Sequence, residues 1–132
     1  MSHASPVDTV REFYANFGPS FDDAAATCLR LLHPDVTWHS VIFNDHPVDG
    51  PDALLGDLRR ALETFRAGGL RTEVRHIRAD GDSVSVRRTD TLLDDRGEPM
   101  ESYDVVSTVR LQDGMIRSAR DRFADARASR SV

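Results

Sequence analysis

From Leu70 to Phe123 the chain alternates apolar and polar residues in four runs, "LRTEVRHIR", "SVSVRRTDTLL", "PMESYDVVSTVRL" and "MIRSARDRF", separated by "ADGD", "DDRGE" and "QDG". Strand side chains leave alternate faces, so each run can bury only every second residue, and short turns make consecutive runs antiparallel neighbours. The expectation is a meander of about four strands. Upstream of Leu70 the period is helical. Ser5, Pro6 and Asp8 form a helix start, followed by Val7, Val10, Tyr14 and Phe17 on one stripe. Phe21, Ala25, Cys28, Leu29 and Leu32 carry a second helix, which "HPD" at 33–35 is expected to end. "VTWHSVIF" reads as a strand and "NDHPVDG" as a loop. Pro51 opens a third helix with its stripe at Leu54, Leu58, Leu62 and Phe65, and Gly68 and Gly69 close it. Helices first and antiparallel strands afterwards give an α+β fold with helices covering one face of a curved sheet.

Size and charge limit what such a fold can do. At 132 residues the chain makes one domain, read as 1–132 with an ordered core at about 5–123 and a flexible tail at 124–132. No apolar run is long enough to span a bilayer, no secretory signal is legible, and the single cysteine, Cys28, cannot form an internal disulfide, so a cytoplasmic location is expected. The net charge of −5, with bases interleaved among acids, argues against a nucleic-acid partner. His33, His39 and His46 with Asp35, Asp45 and Asp49 match no compact ligand spacing, so no metal site is expected. His76 is in line with Leu70, Thr72 and Val74 and reads as a core or pocket-wall residue. Cys28 reads as core, and Arg59, Arg60, Arg117, Arg120 and Arg122 as outer surface.

One strand breaks the usual rule. Its alternate residues are Val84, Val86, Arg88, Asp90 and Leu92, so two opposite charges occupy the face that the aliphatic residues mark as buried. Arg88 and Asp90 leave that face roughly 7 Å apart, within reach of each other. Asp121, in phase with Met115, Ala119 and Phe123, adds a third charge. A pair at the exposed end of a sheet would explain the first two. Three buried charges are physically reasonable if one guanidinium bridges two carboxylates, with one acid keeping its proton.

"RTD" (88–90) and "RDRF" (120–123), within the sheet-forming half of the chain, resemble the limonene-1,2-epoxide hydrolase family, one of the SnoaL-like and nuclear transport factor 2-like proteins. The resemblance covers most of 5–123. It implies a cone-shaped, cystatin-like roll with three N-terminal helices on a mixed, mainly antiparallel sheet, assembled as a homodimer. It also implies cofactor-independent hydrolysis of a small hydrophobic epoxide to a vicinal diol. Asp121 would activate water, Asp90 would protonate the epoxide oxygen, and Arg88 would link the two acids. The family usually steadies the water with a tyrosine and, two residues on, an asparagine; this chain has Trp38 and Ser40 there. Phe43, Asn44 and Tyr103 are further candidates for contact with substrate or water. Rival readings are a polyketide-type cyclase or isomerase, an epoxide cyclase in which a substrate hydroxyl replaces water, and a binding domain without chemistry.

Overall fold

The structure, a computed structural model, describes residues 5–41 and 46–124. It contains helices α1 (Pro6–Asn16), α2 (Phe21–Leu31) and α3 (Pro51–Phe65). The strands are β1 (Leu32–His39), β2 (Val48–Asp49), β3 (Gly69–Asp80), β4 (Ser83–Leu93), β5 (Pro99–Gln112) and β6 (Met115–Phe123). They form one open sheet in the order β2-β1-β6-β5-β4-β3. Each neighbouring pair is antiparallel except β1 with β6, which is parallel. This is the expected α+β architecture, with three helices against a mixed sheet. Phe43, Asn44 and the expected tail from residue 125 onward lie outside the described residues. No helix among the described residues is long and apolar enough to cross a membrane.

Local chemistry sets the helix starts. Ser5 accepts a hydrogen bond from the Asp8 N–H at 3.1 Å, and Pro6 occupies the first turn, where a missing N–H costs nothing. Ser20 and Asp23 form a reciprocal capping box at α2. The buried stripe of α1 is Val10, Phe13, Tyr14 and Phe17, and α1 lies on β3 and β4. Leu54, Leu58 and Leu62 are buried from α3, whereas Phe65 at its end is 36% exposed. Cys28 is in the core, as expected.

Four local expectations are corrected. "HPD" does not separate α2 from its strand: β1 begins at Leu32 and contains it. Pro34 falls in the interruption of the β1–β6 ladder between Leu32 and Thr37, where a residue without an N–H breaks no ladder bond. The stretch read as a loop includes β2, which pairs with Thr37 and Trp38. The left-handed residue that ends α3 is Arg66 (φ 55°), not a glycine. His76 is exposed, because a register shift between Val74 and His76 reverses the alternation and places Ile77 opposite buried Val86.

Gly18 and Gly69 serve a close crossing. The Pro19 carbonyl accepts a hydrogen bond from the Leu70 N–H at 2.8 Å, which brings the loop after α1 against the start of β3. A Cβ on Gly69 would fall on the Pro19 carbonyl, and one on Gly18 (φ +136°) on the Leu70 carbonyl. Replacing Gly69 with Ala is therefore expected to lower stability by about 2–4 kcal/mol in denaturant titration, through backbone displacement. Gly97→Ala, in an open turn at φ +80°, should cost only about 1 kcal/mol. Equal losses at the two positions would show that the crossing is not tight.

Candidate active site

The sheet register decides which side chains meet over its covered face. Asp90 on β4 lies between Thr72 on β3 and Tyr103 on β5, Arg88 lies opposite Val105, and Asp121 on β6 lies opposite Ser107 on β5. Arg88 and Asp121 are thus two strands apart, roughly 10 Å at the backbone. Only a long side chain spans that distance, and it passes over β5 where the residues are Val105 and Ser107.

The expected bridge is present. Arg88 Nε donates to both oxygens of Asp90 at 3.0 and 3.2 Å, and its Nη2 donates to Asp121 Oδ2 at 3.1 Å. Nη1 donates to the hydroxyl oxygens of Ser107 and Tyr14, and the guanidinium lies 4.6 Å from the centre of the Tyr14 ring. Arg88, Asp90 and Asp121 are only 4%, 4% and 5% exposed. The exposed-pair reading of Arg88 and Asp90 is therefore excluded.

The two carboxylates differ in surroundings. Asp121 receives the Ser107 hydroxyl on Oδ1, and the Trp38 indole N–H, at 3.2 Å, together with Arg88 on Oδ2. Asp90 receives Thr72 Oγ1 at 3.1 Å on Oδ1, besides Arg88. Burial raises the Asp90 carboxyl above the ordinary carboxylate range. The Arg88 charge and hydrogen bond oppose that rise, the charge of Asp121 reinforces it, and the Thr72 hydrogen bond opposes it. For Arg88, burial alone would favour losing the proton, but Asp121, Tyr14 and Asp90 hold it firmly in the charged form. Burial pushes the Tyr14 phenol up to about 12, so it acts as a neutral hydroxyl. The site thus contains one fixed cation, an acid biased toward keeping its proton, and a second carboxylate held by three donors.

These groups line a cavity of about 20 Å3 whose apolar wall is Phe13, Phe17, Leu54 and Leu70. That is room for about one water beside the charges. Trp38, named from sequence as a replacement for a water-binding tyrosine, lines the cavity and donates to Asp121. Ser40 is buried but is not part of the cavity wall. Tyr103 shares the row of Asp90, yet its hydroxyl donates to Glu101 and its ring packs on Phe123. Burial, then the hydrogen bond and charge of Glu101, push that phenol up to about 12. Tyr14, Ser107 and Thr72 are the participants that sequence reasoning missed. Ser107 and Thr72 were open to the same parity argument as Arg88: each is a hydroxyl at an inward position between aliphatic residues.

The profile of the SnoaL-like domain matches residues 8–119. No protein of curated function matches the sequence. Among solved structures, TerC co-crystallised with polyporic acid is similar at 26% identity and a TM-score of 0.71, covering 95% of each chain. An LEH-like epoxide hydrolase of M. tuberculosis is similar at 25% identity and a TM-score of 0.66, over 89% of this chain and 81% of the other. An NTF2-like protein of unknown function from Cytophaga hutchinsonii shares the fold at 15% identity and a TM-score of 0.68, over 97% and 96% of the two chains. With the match running from residue 8 to residue 119 of its 132 residues, this chain belongs to the SnoaL-like domain family.

Proposed function

We propose that this protein is a cofactor-independent epoxide hydrolase that converts an apolar epoxide to a vicinal diol in one step. The observation that carries the reading is the buried guanidinium bonded to two carboxylates, one of them biased toward its protonated form. Opening an epoxide requires a nucleophile and, at the same moment, a proton for the oxygen that leaves the ring carbon. In this mechanism a water gives a proton to Asp121 while its oxygen bonds to the carbon. The carbon–oxygen bond breaks, and that oxygen takes the proton of Asp90. Both hydroxyls of the product are then neutral, and no ester forms on the enzyme. Arg88 stays charged throughout and keeps the two acids at a fixed spacing. Trp38 and Ser107 orient the Asp121 carboxylate from opposite sides. The similarity to the LEH-like epoxide hydrolase of M. tuberculosis supports the assignment at the level of 25% identity.

A second reading is a cyclase or isomerase in which Asp121 removes a proton from carbon. It is favoured by the replacement of the expected water-binding pair with Trp38 and Ser40. Proton removal from carbon does not require a second acid linked through Arg88, so the two readings differ in what Asp90 must do.

Incubation of metal-free protein with a panel of cyclic and straight-chain epoxides in 18O-labelled water is expected to give singly labelled diol. Asp121→Asn should lower the rate on the order of a thousandfold and Asp90→Asn on the order of a hundredfold. No diol from any epoxide, combined with Asp121-dependent exchange of an acidic carbon-bound hydrogen in D2O, would move the protein to the second reading.

The raised Asp90 carboxyl sets a pH dependence. Its protonated form is the active one, so kcat/KM should decline on the alkaline side as Asp90 ionises, while Tyr14, at about 12, remains protonated. Linkage runs the same way. Because the folded carboxyl binds its proton more tightly than the unfolded one, its contribution to stability is full below the unfolded value near 3.8 and lost as pH rises through the folded value. A rate profile with no alkaline decline below the range of the Tyr14 phenol would argue against Asp90 as the acid.

A further inference from the structure

The cavity at the triad has room for about one water, so one of its walls must move before an epoxide with an extended substituent can enter. A second, open groove of about 170 Å3 lies beside it, lined by Tyr14, Ala15, Phe17, Gly18, Pro19, Arg71 and Thr72. Tyr14, Phe17 and Thr72 line both spaces. Two of these three are anchored by polar bonds: the Tyr14 hydroxyl to Arg88 and Ser107, and Thr72 to Asp90. Phe17 has no polar group to anchor it and is held by apolar packing in the core, with its ring 5.2 Å from that of Phe13 between centres. It stands at the C-cap of α1, immediately before Gly18 (φ +136°). A rotamer change at Phe17 therefore joins cavity to groove without breaking a hydrogen bond of the triad.

We propose that Phe17 is the gate of the site and that the groove beyond it holds an extended apolar substituent of the substrate. The reacting end rests on the epoxide reading above, and the groove adds the shape of the rest of the molecule. The groove lies on the Asp90 side of the triad, since Thr72 is shared and neither Trp38 nor Asp121 lines it. A substituent leaving the epoxide toward the groove passes Asp90, and the opposite side of the reacting carbon faces Asp121 and its water. The groove walls at Ala15, Gly18 and Pro19 are small and apolar, suited to an alkyl chain.

Trp38 is the only tryptophan of the chain and lines the cavity, so its fluorescence reports occupancy without any turnover. Stopped-flow binding of 1-butanol and 1-octanol tests the groove independently of epoxide chemistry. The wild type should bind octanol more tightly, by up to roughly fourfold for each methylene removed from water. Phe17→Ala should speed octanol association by about tenfold. Ala15→Phe, on the exposed side of α1, should cut the octanol-to-butanol affinity ratio by about tenfold. Ala15→Leu replaces it if the melting temperature falls. Affinity independent of chain length, or an Ala15 substitution that leaves the ratio intact, overturns the groove, and an unchanged association rate in Phe17→Ala overturns the gate. The same variants are then assayed with 1,2-epoxybutane and 1,2-epoxyoctane. The alkanol pattern without any epoxide turnover upholds gate and groove while sinking the epoxide reading alone. Turnover that favours the short epoxide in the wild type overturns the proposed substrate shape.

Discussion

A guanidinium buried among aliphatic and aromatic residues needs acceptors for its hydrogens, and this need organises the molecule around Arg88. Taking a charge out of water costs several kcal/mol, which an imperfect set of partners does not offset. The partners come from every side: Asp90 on the same strand, Ser107 on β5, Asp121 on β6 and Tyr14 on α1. Thr72 on β3 and Trp38 on β1 then hold the two carboxylates. Sliding β4 by one residue would turn Arg88 and Asp90 to the outer face and leave Asp121 without its cation. Satisfying one charge therefore fixes the register of the central strands and the placement of α1.

The same bonds give the two acids different surroundings. A pair of carboxylates in one dry site cannot both ionise freely, and their neighbours decide which of them keeps a proton. Asp121 has three side-chain donors and Asp90 two, and burial raises the Asp90 carboxyl. The aromatic cluster around Phe13, with Tyr14, Phe17 and Trp38 at ring-centre distances of 5.1 to 5.5 Å, keeps bulk water away from that asymmetry. The helices thus contribute the low polarity on which the chemistry depends, while the sheet contributes the charges.

The sheet half of the fold was legible because strand parity is strict. The four runs after Leu70 became β3 to β6, and the inward set Arg88, Asp90 and Asp121 followed from counting by two. Counting failed where the chain inserts a residue: the shift at Val74/His76 turned His76 outward, and another at Arg110/Leu111 buries Ile116 while Met115 stays half-buried. Bulges leave no mark in a hydrophobic pattern. Tyr14 was legible as part of a helical stripe but not as a member of the site, because nothing in a stripe tells which strand its hydroxyl will meet. The same limit applied to Trp38. Its position matched a family pattern, whereas its bond to Asp121 depends on the parallel pairing of β1 with β6, a contact between distant parts of the chain that no local signal reports.

That parallel pairing also bears on the order in which the molecule assembles. β3 to β6 can form hairpin by hairpin from neighbours in sequence, but β1 must wait for β6, and Trp38 and Asp121 are 83 residues apart. Contacts of such long separation form slowly, since the loop between them must be closed before any gain is realised. Until β6 docks, Arg88 lacks one of its two carboxylates and its least costly location is in water. Desolvation of the cation and completion of the triad therefore fall in a single late event. A nascent chain on the ribosome has no site until β6 has emerged.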